Sequence, residues 1–91
     1  MAGKKYKPSW AVNYGVNHSH RAMNSHVKHT YREALKVYEE IDREKWPVGE
    51  IVRMEFDEHG LVCRKDRRKA YDAHGERRMT EEDQNLPVHI V

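Results

Sequence analysis

The chain has 91 residues, 37% of them hydrophobic and 35% charged, with seven histidines, one cysteine and a formal net charge of +2. That length suits one domain with a modest core, and a lone cysteine excludes an internal disulfide or a four-cysteine zinc site. A mean hydropathy of -1.06, with no apolar run near the roughly 20 residues that span a bilayer, points away from a membrane protein.

Residues 1–8, MAGKKYKP, read as a basic flexible tail without the apolar stretch of a secretory signal, so a reducing, cytoplasmic setting is expected. Residues 9–91 are then expected to form a single small α+β domain. Trp10, Val12, Tyr14 and Val16 alternate with Ala11, Asn13, Gly15 and Asn17, the period-2 pattern of a strand over 9–16 with one buried face. The segment that follows is polar and histidine-rich, with His18, His20, His26 and His29.

Tyr31, Ala34, Leu35, Tyr38 and Ile41 recur at helical spacing, and Val27 extends the stripe one turn upstream. Thr30 and Glu33 fit a capping box, in which each side chain satisfies an orphan backbone N–H. A start near Ser19 is equally open, because Arg21 to His29 holds no helix breaker. Pro47 ends the helix at Lys45 or Trp46 by disfavouring the α conformation in the residue before it.

Val52, Met54 and Phe56 alternate over Glu50–Phe56, and Asp57-Glu58-His59-Gly60 fits a type I turn closing into a glycine bulge, with Leu61-Val62-Cys63 as the returning strand. Tyr71-Asp72-Ala73-His74-Gly75 repeats that turn chemistry fifteen residues on, so residues 50–79 read as a three-stranded meander with a charged middle strand around Arg64 to Ala70. Thr80 would cap a short helical turn, and Leu86, Val88 and Ile90 would add an edge strand able to pair with a second copy. The fold class expected is α+β, one amphipathic helix packed on a small antiparallel sheet in the order β-α-β-β with extra edge strands.

Charge is segregated along this order. Residues 1–36 hold seven Lys/Arg against one acid, net +6, and residues 37–58 hold three against eight, net -5. Residues 59–79 hold seven against three, net +4, while residues 80–91 hold three acids and no Lys/Arg. Such blocks let one face be strongly basic on a nearly neutral molecule. Lys28, Arg32 and Lys36 are spaced to line one helix edge, and Arg64, Lys65, Arg67, Arg68 and Lys69 form a second cluster. Trp10 and Tyr14 supply aromatic groups near them. Basic side chains neutralise phosphates and interleaved aromatics stack on unpaired bases, but the same pairing makes energetic anchors at protein interfaces.

Other chemistries are weaker. Asp57/His59 and Asp72/His74 put metal-type ligands two residues apart, as a minimal metal-dependent nuclease would need, yet no spacing matches a zinc finger or ribbon and turn chemistry accounts for the aspartates. Cys63, beside Val62 in a strand, reads as a small buried side chain rather than a nucleophile. Glu39, Glu40, Asp42 and Glu44 oppose the macrodipole at the helix end, which suggests pairing with the Arg64–Lys69 strand or a partner. No phosphate-binding glycine loop, nucleophile elbow or dinucleotide fingerprint occurs, so neither catalysis nor a cofactor or metal is expected.

The function expected is that of a small regulator or inhibitor that binds a larger protein, with an acidic surface of a nucleic-acid-processing machine as its target. In its shortness and charge density the chain resembles accessory proteins that viruses and mobile elements encode to act on host machinery. Direct DNA or RNA binding through the basic helix edge and strand is the alternative.

Overall fold

The computed structural model describes residues 6–17 and 23–79. Ser9–Gly15 forms β1, Met23–Lys28 β2, Tyr31–Glu39 the helix α1, Val48–Phe56 β3, Val62–Asp72 β4 and Gly75–Glu76 β5. The five strands make one antiparallel sheet in the order β2-β1-β3-β4-β5. Because β2 and β3 are both antiparallel to β1, they run parallel to each other on either side of it, and α1 crosses over β1 to join them. The architecture is thus a small α+β fold. The helical turn expected at Thr80 and the edge strand expected over Leu86, Val88 and Ile90 lie outside the described residues.

The helix begins where the capping signal stands. Thr30 is extended (φ -129°, ψ 154°), and its Oγ1 accepts the Glu33 backbone N–H at 3.1 Å. The reciprocal bond differs from the expected box: the Thr30 hydroxyl donates to Glu33 Oε1 at 2.9 Å. Upstream the reading is corrected, because Val27 and Lys28 belong to β2 and not to a longer helix. The helix also stops at Glu39, well before Pro47. Asp42 explains the early stop, since its Oδ1 accepts the N–H groups of Glu44 and Lys45 and its carbonyl accepts that of Trp46 at 2.8 Å. An aspartate that caps its own turn competes with continued helix.

Side-chain parity divides the sheet into two faces. On the helix face Val12, Ile51 and Tyr71 pack with Ala34 and Tyr38, while Leu35, Val37 and Ile41 pack around them. On the opposite face Ala11, Val52 and Met54 form a second cluster with Phe56 against it. Strand β1 is therefore buried on both sides, where the alternation had implied one buried face. Val16, the last member of the alternating set, lies beyond β1 and is exposed.

Three cross-strand rows organise the helix face. Asn24, Tyr14, Gly49 and Tyr71 form one, His26, Val12, Ile51 and Lys69 the next, and Lys28, Trp10, Arg53 and Asp66 the third. In the first row Gly49 is required by the ring opposite. A Cβ at that position would stand 2.4 Å from Cε1 of Tyr71. The Tyr71 hydroxyl is held by the carbonyl of Trp46 at 2.6 Å, so the ring has no free path away. Gly49→Ala should therefore lower stability by about 1–3 kcal/mol, as overpacking does, read as a lower urea midpoint. A neutral result would show that Tyr71 can shift at no cost.

Both predicted turns of the meander are present. Asp57 N–H donates to Leu61 O at 2.8 Å, Gly60 N–H to Asp57 O at 3.0 Å, and Gly60 adopts φ 79°. In the second turn Gly75 adopts φ 103°, and Asp72 Oδ1 accepts His74 N–H at 2.8 Å as Asp57 Oδ1 accepts His59 N–H at 2.9 Å. Strand β4 carries two register shifts: Arg68 is the extra residue between the Ile51–Lys69 and Val52–Arg67 pairs, and Cys63 the extra residue near Phe56. Cys63 is exposed at its bulge, with Sγ 3.5 Å from Glu55 O, so its expected burial does not hold. The bulge, not the neighbouring Val62, decides its environment.

Candidate binding site

The helix covers the sheet unevenly. At the end of Tyr14 and Tyr71 the face is filled by aromatic rings; at the end of Trp10 it is open. There Trp10, Tyr31, Arg53 and Arg68 line a cleft of about 350 Å³. Trp10 comes from the start of β1 and Tyr31 from the first residue of α1, and their rings meet edge to face at 6.5 Å. Arg53, the β3 neighbour of Trp10, places its guanidinium 5.9 Å from the indole centroid. Arg68 reaches the cleft because the β4 bulge sets it on the same side as Lys69. Bulges commonly re-aim one side chain in this way.

Charge around the cleft is unequally spent. Arg53 pairs with Glu55, and Arg64 Nε lies 2.9 Å from the buried carboxylate of Asp66. Lys28, Arg32 and Arg68 have no acidic partner among the described residues. Lys28 sits in register beside Trp10, and Arg32 follows Tyr31 on the helix. The result is an aromatic cleft rimmed by uncompensated cations. A larger hollow of about 470 Å³ runs along the helix, lined by Glu33 and Glu39 as well as by Arg32 and Lys36. That neutral wall makes it the weaker candidate.

The residues singled out from sequence therefore part company. Trp10, Lys28, Arg32 and Arg68 gather at the cleft. Lys36 lies further along the helix, exposed, and Lys28 is not on the helix edge with it. Lys65 and Arg67 pair with Met54 and Val52 and so share the opposite face. Arg67 is spent on Glu50 at 2.9 Å, and Lys69 lies over the Tyr38 ring at 5.6 Å. Tyr14 is also engaged internally: it stacks on His26 at 5.5 Å, holds His26 Nε2 through its hydroxyl at 2.9 Å, and meets Trp46 edge to face. Sequence reasoning missed Tyr31 and Arg53. Tyr31 was counted as core, and Arg53 stood alone between Val52 and Met54 with no cluster to mark it.

The two Asp-X-His turns lie at opposite ends of the 11-residue strand β4, roughly 30 Å apart at about 3.3 Å per residue. They do not share a metal or a substrate. His18 and His20 lie outside the described residues. None of Glu39, Glu40, Asp42 and Glu44 pairs with the Arg64–Lys69 segment among the described residues; Asp42 instead caps its own turn.

A second polar cluster is buried on the opposite face. Asn13 is inaccessible and donates through Nδ2 to Glu50 Oε2 at 2.9 Å, while Arg67 Nε donates to Glu50 Oε1 at 2.9 Å. Asn13 Oδ1 has no hydrogen-bond partner there. This triad fixes β1, β3 and β4 side by side, and its burial removes it from direct contact with a ligand.

Among the described residues no helix is long and apolar enough to cross a membrane. Comparison with protein-family models, curated proteins and solved structures finds no match to this chain. The fold and the cleft thus carry the functional argument alone.

Proposed function

We propose that the protein is a non-catalytic cytoplasmic regulator that binds a larger protein, and that its basic-aromatic cleft docks on an acidic surface, such as one on a nucleic-acid-processing machine. The observation that supports this most is the convergence of Trp10 and Tyr31 with Lys28, Arg32 and Arg68, cations that form no ion pair among the described residues. Aromatic and arginine anchors surrounded by less important contacts are the usual composition of a protein hot spot. Uncompensated charge raises the rate of encounter with an acidic partner and rejects basic ones.

A phosphate-tracking surface is the competing reading, supported by the same aromatic groups, which would stack on bases. It is less well supported because the Arg64–Lys69 run does not form a stripe: Arg64 and Arg67 are paired with carboxylates, and Lys65 and Arg67 share the far face.

Reversing the cleft charge tests the proposal. Tagged wild type and an Arg32→Glu/Arg68→Glu variant are used to capture partners from nuclease-treated lysate of the source cells. Both side chains are exposed, so the variant should keep its folding stability, read from urea unfolding, within about 0.5 kcal/mol. One stoichiometric protein, retained by wild type and lost by the variant, is the expected result. Capture that disappears on nuclease treatment, or that the variant retains, overturns it.

A further inference from the structure

Among the described residues the sheet has two open edges of different character. On the outer side of β4, β5 covers only Tyr71 and Asp72, and the rest of the strand is interrupted by two bulges and carries the charged run Arg64–Lys69. Bulges and charge are what natural proteins use to stop an edge from pairing. Strand β2 has neither device in that measure. Its six residues pair with β1 in unbroken register, its outer side has no described partner, and Lys28 is its only Lys or Arg. A regular edge with unpaired N–H and C=O groups is a template for another backbone.

The two sides of that edge have opposite chemistry. His26 and Lys28 share the helix face with Trp10, next to Arg32 at the start of α1. Val27 projects on the other face, opposite Ala11, and is 55% exposed, unusual for a valine in a strand. No acidic residue occurs anywhere before Glu33, so nothing on β1, β2 or their connection compensates the cations.

We infer that an extended segment of a partner protein, acidic on one side and apolar on the other, adds to the β2 edge as a further strand of the sheet. Its acidic side chains meet Lys28 and Arg32 and lead toward the Trp10 cleft, while its apolar side chains cover Val27. This rests on the acidic-partner reading above and gives that partner a shape. A nucleic acid would satisfy the cations but neither the backbone edge nor Val27.

The probe is a fluorescent peptide of about six to ten residues alternating Glu and Val, the usual length of a strand. Two further versions carry N-methyl groups on one or the other alternate set of amides. Only one set faces β2, so one N-methylated peptide should bind at least tenfold more weakly and the other should bind like the parent. Outward amides of β2 should exchange more slowly when the parent peptide is bound. Lys28→Glu/Arg32→Glu should weaken the parent at least tenfold, whereas Lys65→Glu, on the far face of β4, should not. If all three peptides bind alike and β2 exchange is unchanged, strand addition is wrong and the acidic-partner reading stands. If no peptide binds, strand addition is overturned; if a single-stranded oligonucleotide binds instead, the acidic-partner reading falls with it.

Discussion

Arg67→Ala should lower folding stability by about 3–5 kcal/mol, read as a lower urea midpoint at an unchanged slope. The reason lies in Glu50, which is almost fully buried on the sheet face away from the helix. Its two oxygens are served by different strands, Oε1 by Arg67 of β4 and Oε2 by Asn13 of β1. Among the described residues, removing Arg67 takes away the only positive charge on that carboxylate and leaves a single amide donor. An unpaired buried charge costs far more than the pair itself contributes, so the loss reports desolvation and not the strength of the ion pair. Against a total of roughly 5–15 kcal/mol for a small domain, the variant would be marginal at 37 °C. Replacing all three polar residues together, as Asn13→Leu, Glu50→Met and Arg67→Met, should be far milder than Arg67→Ala alone. If Arg67→Ala costs under about 1 kcal/mol, Glu50 is reached by water and the burial argument is wrong.

That triad was not legible in the sequence, and its neighbours show why. Alternation marked Trp10, Val12 and Tyr14 as one buried face, and Val12 is buried there with Trp10 and Tyr14 partly buried against it. The same rule placed Asn13 on a solvated side, since a two-residue period assumes one wet face per strand, while Glu50 shares the parity of Val52, Met54 and Phe56. A charge inside the run Val48-Gly49-Glu50-Ile51-Val52 was the one local hint. Strand β2 was missed for a related reason. MNSHVK lies at an edge, with Val27 open to solvent and polar groups on both sides, so no burial pattern is written into it. Elements whose form is set by local chemistry fared better. The cap at Thr30 depends on two side chains three residues apart, the turns at Asp57 and Asp72 on a side chain and a glycine within four residues, and each stands where the sequence puts it.

The cleft lies between these cases. Trp10, Lys28, Arg32 and Arg68 were legible as basic and aromatic groups, but their grouping depends on two facts that sequence spacing hides. One is the crossover of α1, which brings Tyr31 over the β1 strand that carries Trp10. The other is the β4 bulge. With strict alternation Arg68 would share a face with neither Arg67 nor Lys69; the extra residue puts it with Lys69 and beside Trp10. Spacing alone made the charged run of β4 into one cluster, whereas pairing with Glu50 and Asp66 removes Arg67 and Arg64 from it. Which cations are free is a property of the sheet register.

Tyr38→Ala should cost about 3–5 kcal/mol, the other large loss expected in this fold. Tyr38 is buried under α1, packs edge to face on Tyr71 at 5.6 Å, and directs its hydroxyl to both oxygens of Glu76 at 3.0 and 2.9 Å. Arg43 joins the group, bonded to Glu76 with its guanidinium 4.2 Å from the Tyr71 centroid. One side chain thus ties the helix, the following turn and β5 together. Tyr38→Phe keeps the ring and should cost only about 1 kcal/mol, which separates packing from the hydroxyl. Burial, and then the bond to Glu76, push the Tyr38 pKa well up, so the phenol remains a donor across the ordinary pH range. For Glu76, burial raises the pKa but is outweighed by the bonds from Arg43 and Tyr38, so it falls below its ordinary 4.5. A depressed carboxylate pKa stabilises the fold above the unfolded value and loses that contribution as pH falls from about 4.5 through the lower folded value. With the Glu76 side chain 47% exposed, solvent screens the pair and the acid limb should be shallow. Glu76→Gln should flatten that limb further in urea titrations at successive pH values, and an unchanged limb would assign acid sensitivity to other carboxylates.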